Sequence, residues 1–289
     1  MKPIDAVVGL SEWYIDGLYG LKNYNKYVFE TQVLKEGLVD YSKTRRENTA
    51  NYYLTPSGSV FTQDPYDPKP VPSGSIAVIK FHGIMFAEEA MCSYGVGYFT
   101  EQIRKADGDP NIKGIILKVH SGGGEATAGV MLMNAVKETR KPLIVHGDYM
   151  ASGAVLGTLY ADEIILSSNM VQMGSIGVMM DINMKILKKI RKDYKSLYST
   201  KSNRKNEEFR ELVENNNFDP LIKRLTKLDT QFMSEVKKAR KHKLQEDHFD
   251  EILSGAMFPA RKAVEYGMAD GIGDLNYVKR RMKFHLKAA

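Results

Sequence analysis

Apolar residues in this chain follow two rhythms, and each predicts a different kind of element. Short runs dense in β-branched residues predict core strands: Ile76-Ala77-Val78-Ile79-Lys80-Phe81, Gly114-Ile115-Ile116-Leu117, Leu143-Ile144-Val145-His146 and Ile164-Ile165-Leu166. Between them the pattern turns helical over 98–107, over 126–139, and from Ser152 through Ala161. Asp107-Gly108-Asp109-Pro110 stops the first of these helices. Strands alternating with helices argue for βαβ units and an α/β fold.

Further along, residues 171–180 read as extended and 183–193 as a helix whose Ile186, Leu187 and Ile190 face inward. Ser196-Leu197-Tyr198 is strand-like. Asp219-Pro220 then opens a long helix, with proline at its first position. Leu221, Leu225, Leu228, Phe232, Val236 and Ala239 form one stripe on it, which packs on the core or on a neighbouring subunit. Residues 1–54, with Trp13, Tyr14, Tyr19, Tyr24 and Tyr27, read as a mostly helical arm or cap. Repeated proline and glycine make 55–74 a linker, because proline removes donors and blocks helix. The main domain is then 75–289.

Composition narrows the class. A chain of 289 residues with 43% hydrophobic residues can bury one large core with an appendage. The single cysteine, Cys92, cannot form an intrachain disulfide, so a reducing compartment is permitted. No run approaches the roughly 18 apolar residues of a membrane span. Val7-Val8-Gly9-Leu10 is too short, and too soon followed by Glu12 and Asp16, to act as a secretory signal, so a cytoplasmic location is expected. The net charge of +6 comes from 41 basic against 35 acidic residues, a modest excess. The basic clusters at 237–243 and 279–283 therefore read as solvated helix faces, and no nucleic-acid partner is expected.

Two strand-to-helix corners carry the candidate chemistry. Tyr149-Met150-Ala151-Ser152-Gly153-Ala154 puts one serine among small residues at the start of a helix, where its hydroxyl can meet a substrate. Val119-His120-Ser121-Gly122-Gly123-Gly124 also leads from a strand into a helix. Its glycines free the backbone for positive φ and for close approach of a ligand to N–H groups. Donors at a helix start are unpaired and favour negative charge, so such a corner suits the oxyanion of an acyl-transfer intermediate.

A serine nucleophile needs a base. The histidines are His82, His120, His146, His242, His248 and His285, and none is followed by an evident orienting acid. The segment Ser199-Thr200-Lys201-Ser202-Asn203-Arg204-Lys205-Asn206 offers two lysines instead. A lysine takes a proton only when neutral. As a general requirement, its pKa must fall from about 10.4 toward about 7, roughly 4 kcal/mol of differential interaction.

The order of Gly114-Ile115-Ile116-Leu117-Lys118-Val119-His120-Ser121-Gly122-Gly123-Gly124, Met150-Ala151-Ser152-Gly153, Gly174-Ser175-Ile176-Gly177-Val178 and a lysine loop resembles the signal peptide peptidase A (protease IV) family of serine peptidases, including its phage head protease branch. The closing stretch from Leu253-Ser254-Gly255 to Gly271-Ile272-Gly273 is similar to that family's end signature, and the likeness runs from about Ser75 to Val278. One departure is the first corner, where the family usually has Asn-Ser-Pro-Gly-Gly. His120 replaces a residue that normally braces the turn, and loss of the proline loosens it in the unfolded chain.

The resemblance implies a ClpP/crotonase-like α/β fold of repeated ββα units, with a long C-terminal helix and the N-terminal helical arm. It implies a serine endopeptidase with a Ser/Lys dyad: Ser152 as nucleophile and Lys205 as base, with Lys201 as runner-up. Gly153 and either Gly123 or Gly124 supply oxyanion donors. No metal or cofactor is implied. The implied partners are a peptide or protein substrate and further copies of the chain, since one-copy members form rings or domes. Phage portal or scaffold proteins are implied as substrates of the head protease branch. The alternatives are a non-catalytic phage head assembly protein that kept the fold and, from the same fold type, an acyl-CoA hydratase or isomerase with Glu125 as its acid/base.

Overall fold

The computed structural model describes residues 13–15, 51–63, 69–89, 94–182, 184–193 and 197–288. In chain order the strands and helices are β1 (Trp13–Ile15), β2 (Tyr52–Leu54), β3 (Val60–Phe61), β4 (Ser75–His82), α1 (Val96–Gly108), β5 (Ile112–Ser121), β6 (Gly123–Glu125), α2 (Ala126–Glu138), β7 (Leu143–Ala151), α3 (Gly153–Thr158), β8 (Glu163–Leu166), β9 (Gln172–Gly174), α4 (Met184–Asp193), α5 (Glu207–Asn215), α6 (Asp219–Arg240), α7 (Phe249–Ile252), β10 (Met257–Pro259), α8 (Ala260–Glu265), β11 (Gly271–Ile272) and α9 (Leu275–Ala288). A single turn of 3₁₀ helix, Thr200–Ser202, precedes α5.

The expected α/β architecture is present. β4, β5 and β7 form a parallel centre, to which β8 and β9 both add alongside β7. Side-chain alternation divides the core between the two faces of this sheet. Ile79, Phe81, Ile115, Leu117 and Val145 pack with Phe99, Ile103, Leu132 and Leu156 on one side. On the other, Val78, Ile116, Ile144 and Ile165 pack against Val278 and Met282 of α9.

The end of β7 is re-aimed by a bulge. Val119 pairs with Gly147 but His120 pairs with Tyr149, so Asp148 is an extra residue in the ladder. Beyond it Met150 and Ala151 pair with Met173 and Gly174 of β9, which carries Ser152 away from β8.

Several expectations need correction. The sheet starts earlier than Ser75: Tyr52–Leu54, assigned to a helical arm, is a strand on β4, and Val60–Phe61, assigned to the linker, closes a hairpin on it. Trp13–Ile15 of the arm is also a strand. Tyr19, Tyr24, Tyr27 and Cys92 lie outside the described residues, as do the side chains of Ile186 and Ile190. Leu197 and Tyr198 are not in a strand, and the helix after Ser152 ends at Thr158 rather than Ala161. The α6 stripe is buried only in its second half, at Phe232 and Val236. Leu221, Leu225 and Leu228 are half-buried, and Ile222 is 55% exposed.

Candidate active site

The glycine corner is held by backbone and by one serine. Gly123 has φ +89, and a side chain on Gly124 would bring its Cβ to 2.1 Å from the carbonyl oxygen of Met85, so both positions demand glycine. Met85 N–H donates to Gly123 O at 2.9 Å, and Glu125 N–H donates to Met85 O at 2.8 Å. Ser121 braces the turn where His120 was expected to fail. Its hydroxyl donates to Gly83 O at 2.6 Å and accepts the Gly123 N–H at 3.1 Å. The Gly123 amide, one expected oxyanion donor, therefore has an internal acceptor. Glu125, the acid that a hydratase would need, accepts the Ala87 N–H at 2.7 Å.

Ser152 occupies the second corner in a strained conformation, φ 54 and ψ −118, which for a residue with a side chain costs about 1–3 kcal/mol. Ladder and helix bonds impose it. Ser152 N–H donates to Gly174 O at 2.9 Å, and Ser152 O accepts from Val155 and Leu156, the first turn of α3. Gly153 is the first residue of that helix, where N–H groups have no intrahelical partner. Gly129 of α2 packs here: a Cβ on it would stand 3.4 Å from Gly153 Cα, which brings the two corner helices together.

The Ser152 hydroxyl donates to Gly177 O at 3.4 Å, and the residue is only 1% exposed. The segment it touches is itself bent, with Gly174 at φ +151 and Ser175 at φ +54, and is pinned by Ser175 N–H to Ala256 O at 2.7 Å. Behind it stands Asp229 of α6, a residue sequence reasoning missed. Its carboxylate accepts the Val178 N–H, while Oδ1 is buried with no hydrogen-bond partner. A Cβ at Gly177 would lie 3.7 Å from that oxygen. Burial pushes the Asp229 carboxyl above the usual carboxylate range, and the Val178 N–H only partly offsets it. In the sequence Asp229 sits one residue past Leu228 in the apolar stripe of α6, a position that gave no sign of its role.

The fold does not seat either lysine against the serine. Lys201 lies in the 3₁₀ turn and Lys205 just before α5, and both are exposed, whereas Ser152 is buried. His146 is no substitute. Its Nε2 lies 3.0 Å from Gly273 O, burial lowers its pKa, and five residues of β7, the Asp148 bulge among them, separate it from Ser152. Among the described residues no group of three His, Cys, Asp or Glu is arranged to hold a metal ion, and no helix is long and apolar enough to cross a membrane.

Residues 135–289, slightly more than half of the chain and inclusive of Ser152 and both lysines, match Peptidase family S49. Curated relatives include Protease 4 of Salmonella typhi, 27% identical over 213 residues, and Protease 4 of Haemophilus influenzae, 29% identical over 216. Each match covers 70% of this chain and 33% of the relative, so the chain spans about a third of the length of these relatives. Among solved structures, a mutant of the 1510-N membrane-bound stomatin-specific protease overlays with a TM-score of 0.45 at 13% identity, covering 73% of this chain and 85% of that one. ClpP1 from Listeria monocytogenes overlays with 0.43 at 13% identity, covering 68% and 91%.

Proposed function

Because the chain belongs to peptidase family S49, we propose that it is a serine endopeptidase in which Ser152 attacks a polypeptide carbonyl after Lys205 takes its proton. The observation that carries this reading is the backbone of Ser152. A strained residue at a strand-to-helix corner, over-determined by Gly174 and by α3, is the kind of feature that folds retain at reacting centres. The Gly153 N–H at the start of α3 is the nearer oxyanion donor. The glycine corner supplies the second, with Gly123 free to serve if its amide turns from Ser121. Water then releases the acyl group from Ser152. Lys201 is the alternative base.

The buried serine and the exposed lysines support a site completed by a second copy of the chain. The half-buried leucines and exposed Ile222 of α6 offer an apolar face for such an assembly. The substrate class is an extended polypeptide, and cleavage of phage portal or scaffold proteins is a narrower case of the same chemistry. The engaged carboxylate of Glu125 speaks against the hydratase alternative.

Peptide hydrolysis and labelling by a fluorophosphonate probe test the reading. Ser152→Ala loses both, and Lys205→Ala lowers turnover by at least about 10³-fold while Lys201→Ala stays near wild type. Full turnover in Lys205→Ala together with loss in Lys201→Ala moves the base to Lys201. Hydrolysis surviving in Ser152→Ala ends the proposal.

A further inference from the structure

The outer edge of β6 is already taken by the chain itself. β1 runs antiparallel to it, with Trp13 opposite Glu125, Tyr14 opposite Gly124 and Ile15 opposite Gly123. The inner edge of β6 is spent on Met85, which bonds Gly123 O and Glu125 N–H. Alternation along an extended strand therefore turns the N–H and C=O of Gly124 outward, toward Tyr14. Since Gly124 tolerates no side chain, this edge is bare backbone. β1 also lies against α2 and α3, the helices that start at the glycine corner and at Ser152.

Bare backbone beside a nucleophile is where an extended polypeptide adds as a strand, its ladder bonds giving affinity without sequence. We propose that β1 competes for this edge: Trp13–Ile15 holds the place of an incoming polypeptide, which binds only when β1 is displaced. The inhibitory meaning of this contact rests on the peptidase reading above. A strand of three residues makes a short ladder but is tethered to its site, so its effective concentration is high. A longer polypeptide pairing over more residues displaces it.

The test uses the full chain in a Ser152→Ala background and a fluorescent peptide copying residues 9–19, followed by anisotropy and by amide exchange at Gly124. Tyr14→Pro deletes the N–H that faces Gly124. If β1 is docked nine-tenths of the time, this variant binds the peptide about tenfold more tightly. Its Gly124 amide exchanges faster, and added peptide restores the protection. Trp13→Gly/Ile15→Gly, which weakens the strand but keeps every N–H, shifts both readouts the same way. Equal peptide affinity across the three chains, or Gly124 exchange unchanged by either substitution, overturns the inference. A wrong nucleophile assignment appears only in hydrolysis by chains that retain Ser152, and imitates neither result.

Discussion

Near Ser152, on the far side of Gly177, Asp229 has an environment that works against its own charge. The residue is half-buried, its Oδ1 is buried and unpaired, and the Val178 N–H compensates only in part. A carboxyl whose pKa is raised on folding costs stability at pH values where it is ionised in both states, and the cost vanishes once both states are protonated. Asp229→Asn keeps an acceptor for Val178 and removes the charge. We expect it to unfold at higher urea than wild type at pH 7, the difference shrinking as pH falls through the raised folded value and gone below about 3.9. Equal urea midpoints at pH 7 would contradict this. Ser152 and the glycine corner were legible in the sequence because a corner needs small residues in a fixed order. Asp229 was not, since its meaning comes from a fold that brings α6 under Gly177. Nor was the brace at Ser121, although a hydroxyl two residues before a glycine is a known turn device.

Among the elements, β4, β5, β7 and β8 were legible because strands buried on both faces need unbroken β-branched runs. Tyr52–Leu54 and Val60–Phe61 were not, being too short to display a period and dependent on β4 for partners. The basic clusters changed meaning on folding. Within 279–283, Arg281 pairs with Glu163 of β8, and within 237–243, Arg240 is 2% exposed and grips Asp270 through two nitrogens at 2.9 and 3.1 Å while also donating to Gly267 O. Asp270 in turn accepts the Ile164 N–H, so the end of α6 is locked to the sheet. Burial would raise the Asp270 pKa, but Arg240, Lys243 and that amide outweigh it and hold the carboxyl below its ordinary range. Arg240→Met strips a buried partner from Asp270 and should cost about 3–5 kcal/mol in urea unfolding at pH 7. A carboxyl lowered on folding stabilises above its unfolded pKa and loses that contribution as pH falls through the folded value. The gap between Arg240→Met and wild type therefore closes in acid, and a constant gap from pH 7 to pH 2 would refute the ion pair as its source.

At the scale of the whole molecule, one chain carries the residues of the proposed dyad without joining them. Ser152 is locked between β9 and α3, while Lys201 and Lys205 stand in solvent on the segment leading into α5. A catalytic proton transfer needs the amine within hydrogen-bond reach of the hydroxyl, about 2.6–3.2 Å. For the proposed dyad to act, the lysine segment must fold back onto Ser152 of its own chain or be delivered by a neighbouring copy. The two differ in what mixed assemblies do. If serine and lysine come from one chain, Ser152→Ala and Lys205→Ala remain inactive however they are combined. If they meet across an interface, random co-assembly pairs an intact serine with an intact lysine at about one site in four, and roughly a quarter of wild-type turnover returns. Refolding the two variants together, with each alone as control, decides between them. Because α6 carries the half-buried leucines beside exposed Ile222, Ile222→Asp should suppress the recovered activity and shift the assembly to smaller species in sedimentation. Recovery that withstands Ile222→Asp would place the interface elsewhere on the chain. No recovery at all would return the lysine to its own serine.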